Sequence, residues 1–159
     1  MTILMADDSE DDRFLARKAL QDSHVRSSLR EVEDGEELMD YLKRKGCYSD
    51  AAASPRPGII LLDLNMPRKS GHEALAEIKA DASLRRIPVL VLTTSQDEAD
   101  LLTSYDLGAS SFITKPVSFG ALVDVMKTIG MYWTEIVTLP SSRESRLERR
   151  LTRDDRDAH

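Results

Sequence analysis

A single cysteine, Cys47, leaves no partner for an internal disulfide, which excludes the small stapled folds of oxidising compartments. No apolar run approaches the roughly 20 residues a membrane span requires, and no basic-then-apolar leader opens the chain. Positive charge is in deficit. The 22 Lys and Arg against 28 Asp and Glu leave a net charge of -6, which argues against a general nucleic-acid binder. The three histidines, His24, His72 and His159, are scattered and form no ligand set. A length of 159 residues with 41% hydrophobic content suits one soluble domain, read here as cytoplasmic.

Five short apolar runs have strand character: "TILMA" (2–6), the weaker "SLREV" (28–32), "GIILLD" (58–63), "PVLVLT" (88–93) and "SFIT" (111–114). Segments with helical spacing separate them. Residues 10–22 put Phe14, Leu15, Ala19 and Leu20 on one face, opened by a capping box of Ser9 and Asp12. Residues 35–45 gather Leu38, Tyr41 and Leu42 and stop at Gly46. Segment 71–80 offers Ala74, Leu75 and Ile78, and 97–107 offers Leu101, Leu102 and Tyr105. The last stretch, 118–138, runs Leu122, Val125, Met126, Ile129, Trp133 and Ile136. Strand and helix alternate five times, and the two central strands are apolar throughout. The pattern predicts a doubly wound α/β domain with a five-stranded parallel sheet and five helices.

In such a sheet, ligands bind beyond the carboxyl ends of the strands. Those ends carry Asp7 and Asp8, then Asp63, then Thr93 and Thr94, then Lys115 followed by Pro116. Three carboxylates held together repel unless a cation intervenes, and Mg²⁺ or Mn²⁺ suits an acid-rich, all-oxygen site. With a metal to screen the incoming charge, Asp63 becomes a nucleophile that forms an acyl phosphate. Thr93 would donate to a phosphoryl oxygen, and Lys115 would supply positive charge.

These segments, in this order, resemble the receiver domain of bacterial two-component response regulators, a flavodoxin-like fold. Over roughly residues 1–125, "ADDSEDD" is similar to the family's acidic pair, which implies Asp8 as a direct metal ligand and Asp7 as one acting through water. "LLDLNMP" resembles the phosphoacceptor motif. It implies Asp63 as the phosphorylation site and the Asn65 backbone carbonyl as a metal ligand. "VLTTS" and "SFITKP" resemble the switch motifs, with Thr93 and Phe112 as switch residues and Lys115 as the phosphate contact. The resemblance also implies a cis peptide bond between Lys115 and Pro116.

The long loop before the third strand, "DLGASSFITKPV" and "YWTEIVTLP" (132–140) resemble more narrowly the stand-alone regulators paired with bacterial and cyanobacterial phytochromes. That implies a sensor histidine kinase as partner, a phytochrome. It also implies a homodimer through the extended last helix, with Leu122, Met126, Ile129, Tyr132, Trp133, Ile136 and Val137 as interface residues. The chain then divides into a receiver unit, 1–140, and a charged tail, 141–159, expected to be disordered or a short helix. No DNA-binding output domain fits after residue 140, so output would run through protein contacts without nucleic acid or membrane. Such a protein catalyses only its own phosphorylation and dephosphorylation and is not otherwise an enzyme.

Plainer readings stand beside these. Asp7 and Asp8 also suit a helix N-terminus through its dipole. Asp63 and Lys115 also suit a structural ion pair. Phe112 and the 122–136 stripe also suit a core. A receiver-like dimeric scaffold that acts without phosphorylation is the alternative, and the intact Asp8, Asp63, Thr93 and Lys115 set counts against it. A phosphatase with an aspartyl nucleophile would want an acid two residues on, where Asn65 stands.

Overall fold

The computed structural model describes residues 2–93, 108, 111–116 and 118–131. Five parallel strands form one sheet: β1 (Thr2–Ala6), β2 (Ser28–Val32), β3 (Ile59–Leu62), β4 (Val89–Thr93) and β5 (Ser111–Thr114). Their order is β2-β1-β3-β4-β5. Four α-helices are described, α1 (Glu10–Asp22), α2 (Gly35–Leu42), α3 (Gly71–Ala80) and α4 (Phe119–Gly130), with a short 3₁₀ turn at Gly46–Tyr48. The expected helix at 97–107, Tyr132, Trp133, Ile136, Val137 and the 141–159 tail lie outside the described residues.

Strand side chains alternate between two cores, one on each face of the sheet. Leu4, Ala6, Ile60, Leu62 and Val89 join Leu38, Met39, Leu75 and Ile78 of α2 and α3. Ile3, Met5, Ile59, Leu61, Leu90 and Leu92 join Ala16, Ala19, Leu20, Met126 and Ile129 of α1 and α4. All four residues of β3 are fully buried, which is why that strand reads as an unbroken apolar run.

Each helix begins on a residue whose side chain accepts a backbone N–H three positions on: Ser9 from Asp12, Asp34 from Glu37, Ser70 from Glu73 and Ser118 from Ala121. Such caps contribute about 1 kcal/mol each and set where every helix starts relative to the strand before it.

Four sequence expectations are corrected. The buried face of α1 is Arg13, Ala16, Ala19 and Leu20, while Phe14 and Leu15 are 48% and 41% exposed. In this orientation Arg13 donates through Nη1 to the Asp7 carbonyl at 2.7 Å, and Phe14 lies under the Lys18 ammonium. Helix α2 ends at Leu42 rather than running on to Gly46. Arg44 takes the left-handed position, φ 57°, so the Lys45 N–H reaches the Asp40 carbonyl and the Arg44 N–H reaches that of Tyr41. Met126 and Ile129 are in the core at 0% and 2% exposure, so neither presents a surface to a second chain. The fourth correction, at Pro116, belongs to the site below.

The loop after α2 is anchored by its tyrosines. Tyr41 donates to the Pro55 carbonyl at 2.7 Å and Tyr48 to Glu37 Oε1 at 2.5 Å, with the two rings 5.1 Å apart. Burial pushes both phenols above their ordinary pKa, reinforced at Tyr48 by Glu37.

Candidate functional site

The strand order places the topological switch between β1 and β3, because the chain leaves β1 toward one edge of the sheet and returns to the other side of it. The crevice beyond those two strand ends receives Asp7 and Asp8 from β1 and Asp63 from β3. Their carboxylate oxygens lie within 4.8 Å of one another. Asp7 and Asp63 are buried, at 1% and 7% exposure, and Asp8 is exposed.

Backbone turns fix the two buried carboxylates. Asp7 Oδ1 accepts the Ser9 N–H at 2.9 Å, and Asp63 Oδ1 accepts the Asn65 N–H at 3.1 Å. Both are Asx turns, in which a carboxylate bonds the amide two residues on. The second folds the Asn65 backbone back over Asp63. Glycine at position 71 lets α3 press against this turn. Its N–H bonds the Leu64 carbonyl at 3.0 Å, and a Cβ there would stand 2.3 Å from the Asp63 carbonyl oxygen.

Lys115, directly after β5, reaches across the end of the sheet. Its Nζ lies 2.7 Å from Asp7 Oδ2, 2.8 Å from Asp12 Oδ2 and 3.4 Å from Asp63 Oδ2. Burial works against the ammonium, but Asp12, Asp7 and Asp63 outweigh it and raise its pKa above the usual lysine range. For Asp63 the balance runs the other way. Burial raises its pKa above the ordinary carboxylate value, opposed by Lys115 and the Asn65 N–H and assisted by Asp7.

Thr93 ends β4 in register with Thr114, and Phe112 lies in β5 opposite Val91. The side chains of Thr93 and Phe112 lie outside the described structure. No described peptide bond is cis, so the cis bond expected between Lys115 and Pro116 is absent. Trans is the lower-energy isomer of an X-Pro bond by about 0.5–1 kcal/mol, and Lys115 makes its three carboxylate contacts without the cis form.

Two residues that sequence patterning passed over belong to the site. Asp12 was legible only as a helix cap, yet its carboxylate holds Lys115. Arg13 is buried at 8% exposure, bonds the Asp7 carbonyl and pairs with Glu31 and Glu33, which steadies the end of β1. An arginine among apolar helix positions was the available signal, because a buried guanidinium requires partners.

The donor set tests what the crevice can hold. Three close carboxylates offer hard oxygen ligands, and Asp7 Oδ2 is a buried oxygen whose near neighbour is a cation. That chemistry fits a dication such as Mg²⁺ or Mn²⁺.

Residues 3–127 match the response regulator receiver domain family. The chain belongs to that family. Response regulator Rcp1 of Synechocystis is 42% identical to this receiver over 140 residues, 88% of this chain and 93% of Rcp1. The phosphorylated cyanobacterial phytochrome response regulator RcpA has a crystal structure that superposes with a TM-score of 0.80 at 44% identity, covering 87% of this chain and 97% of RcpA. The Mn²⁺-bound form of Rcp1 superposes with a TM-score of 0.78 at 42% identity over 87% of this chain and 98% of that one. This receiver is therefore homologous to phytochrome response regulators. Among its described residues no helix is long and apolar enough to cross a membrane.

Proposed function

We propose that this receiver accepts a phosphoryl group on Asp63 from the phosphohistidine of a partner histidine kinase, a phytochrome, in the cytoplasm. The observation that carries the reading is the charge arrangement around one carboxylate. Asp63 shares a crevice with two acids within metal-sharing distance and with the Lys115 ammonium, 3.4 Å from Asp63 and 2.7 Å from Asp7. Asp7, Asp8, Asp63 and the Asn65 carbonyl would hold Mg²⁺, Asp7 through water. When bound, that ion supplies positive charge against the approaching phosphoryl oxygens.

A carboxylate oxygen of Asp63 attacks phosphorus and the P–N bond breaks, its electron pair going to the departing nitrogen of an imidazole already protonated on its other ring nitrogen, so the kinase histidine leaves neutral. Lys115 then faces the new phosphoryl oxygens as an ammonium, since its carboxylate neighbours keep it protonated. Thr93, at the end of β4, supplies a hydroxyl to the same oxygens, and Phe112 repacks in β5. The change is read on the surface around β5 and α4 as altered affinity for a partner protein or a second copy of the chain. Homology to phytochrome response regulators supports the kinase class.

Intact mass after incubation with acetyl phosphate and Mg²⁺ tests the reading. One phosphoryl group is expected on wild type, and none on Asp63→Asn or without metal. A folded wild type that gains nothing from either acetyl phosphate or a phosphorylated phytochrome kinase leaves the dimeric scaffold in its place.

A further inference from the structure

This inference rests on the metal set of the proposed function. Lys115 is nearer to Asp12, at 2.8 Å, than to Asp63, at 3.4 Å. Asp12 is not part of the group of carboxylates close enough to share an ion. It stands in the first turn of α1, where its backbone N–H bonds Ser9 Oγ at 3.2 Å. A capping box would send its carboxylate back to the Ser9 N–H, but Asp7 Oδ1 has already taken that donor. The Asp12 carboxylate is therefore committed to a lysine 103 positions away.

We propose that Asp12 is a positioning residue, a holding place for Lys115 outside the metal-ligating set. The ammonium and a dication compete for the same oxygens, Asp7 Oδ2 and Asp63 Oδ2. A flexible four-carbon stem lets the lysine give those up only if another carboxylate waits within reach. Asp12 is that carboxylate. It retains Lys115 beside Asp63 while the ion takes the acids between them. Without it, the ammonium stays on Asp7 and Asp63 and opposes the metal directly.

Calorimetric titration of the full chain with Mg²⁺ at fixed ionic strength tests this on Asp12→Asn, Asp11→Asn and Asp12→Glu. The Asp12→Asn change leaves the backbone cap intact. Asp11→Asn removes the same charge from an exposed neighbouring position. Asp12→Asn is expected to weaken Mg²⁺ binding roughly two- to fivefold more than Asp11→Asn, the size of a partly exposed ion pair. Asp12→Glu, which still reaches the ammonium, is expected to restore most of the loss. Equal weakening in the two Asn variants would reduce Asp12 to a general charge and overturn the proposal, as would tighter binding in Asp12→Asn or no Mg²⁺ binding by wild type. The titration involves no phosphoryl transfer. A wild type that binds Mg²⁺ but never gains a phosphoryl group therefore removes the proposed function while this comparison still decides the role of Asp12.

Discussion

The Lys115 ammonium lies 2.7 Å from Asp7 Oδ2, a contact between the last strand and the first that closes the acidic crevice from one side. Asp7 is almost wholly buried, so this lysine is the cation that offsets its charge in the absence of metal.

Lys115→Met is accordingly expected to destabilise the metal-free protein by about 3 kcal/mol, because three carboxylates lose their shared cation. Saturating Mg²⁺ should return much of that stability, since the ion neutralises the same oxygens. Chemical denaturation of wild type and variant, with and without Mg²⁺, gives the comparison. Equal deficits in both conditions would mean that Lys115 and the metal do not share these acids.

Asp63 carries a pH signature of opposite sign to that of a paired surface acid. Its folded pKa is raised above the ordinary value by burial. The stability linked to its protonation is thus fully present below the unfolded pKa, near 3.8, and is lost as pH rises through the folded pKa. At neutral pH the metal-free protein holds a desolvated charge that Asp63→Asn removes. The variant should melt higher than metal-free wild type by about 2–4 °C at pH around 7, on the order of 1 kcal/mol after allowance for screening. The gap should close as pH falls toward about 4, and on addition of Mg²⁺ at neutral pH. A variant less stable than wild type throughout would mean that the contact with Lys115 outweighs the burial.

Gly71 and Gly120 both lie in helices, and their substitution by alanine should have opposite effects. At Gly71 a Cβ would press on the Asp63 carbonyl oxygen and, at 2.6 Å, on Leu64 Cα, both backbone atoms that move only with the strand end. At Gly120 nothing lies within 4 Å. Gly71→Ala is expected to cost about 2 kcal/mol and to weaken Mg²⁺ binding by displacing the turn at Asp63. Gly120→Ala should gain about 0.5 kcal/mol from helix propensity and leave Mg²⁺ binding unchanged. Melting curves and a Mg²⁺ titration on both proteins check the pair.

The sheet was legible because its strands are short, apolar and regularly spaced, and because the acids and the lysine stand one or two positions beyond them. The Asp7, Asp8, Asp63 and Lys115 convergence followed from the strand-end rule alone. Helix faces were less legible. Phe14 and Leu15 are apolar yet exposed, while the buried face of α1 includes Arg13, a long side chain whose partner, the Asp7 carbonyl, is invisible in the pattern. The end of α2 was misread for a related reason. A left-handed cap advertises itself when it is glycine, and here it is Arg44. Asp12 had two compatible uses, and local spacing favoured the cap over a contact that closes only in the folded chain.

The stripe along α4 mixed two kinds of position, and substitution separates them. Met126 has no exposed surface and packs with Met5, Ala16 and Leu92 in the core between α1, α4 and the sheet. Met126→Ala should therefore cost about 3 kcal/mol in stability, as large-to-small core changes do. It should leave the self-association of the folded fraction unchanged. Trp133 lies beyond the described helix, in the extension to which the dimer expectation now passes. In the proposed homodimer, Trp133→Ala should weaken association by tenfold or more, the scale of an aromatic anchor at an interface. Sedimentation equilibrium at a temperature well below either melting point distinguishes the two. If Met126→Ala dissociates the dimer as strongly as Trp133→Ala, the interface depends on the core packing of α4 rather than on the extension, and the division drawn between the two residues is wrong.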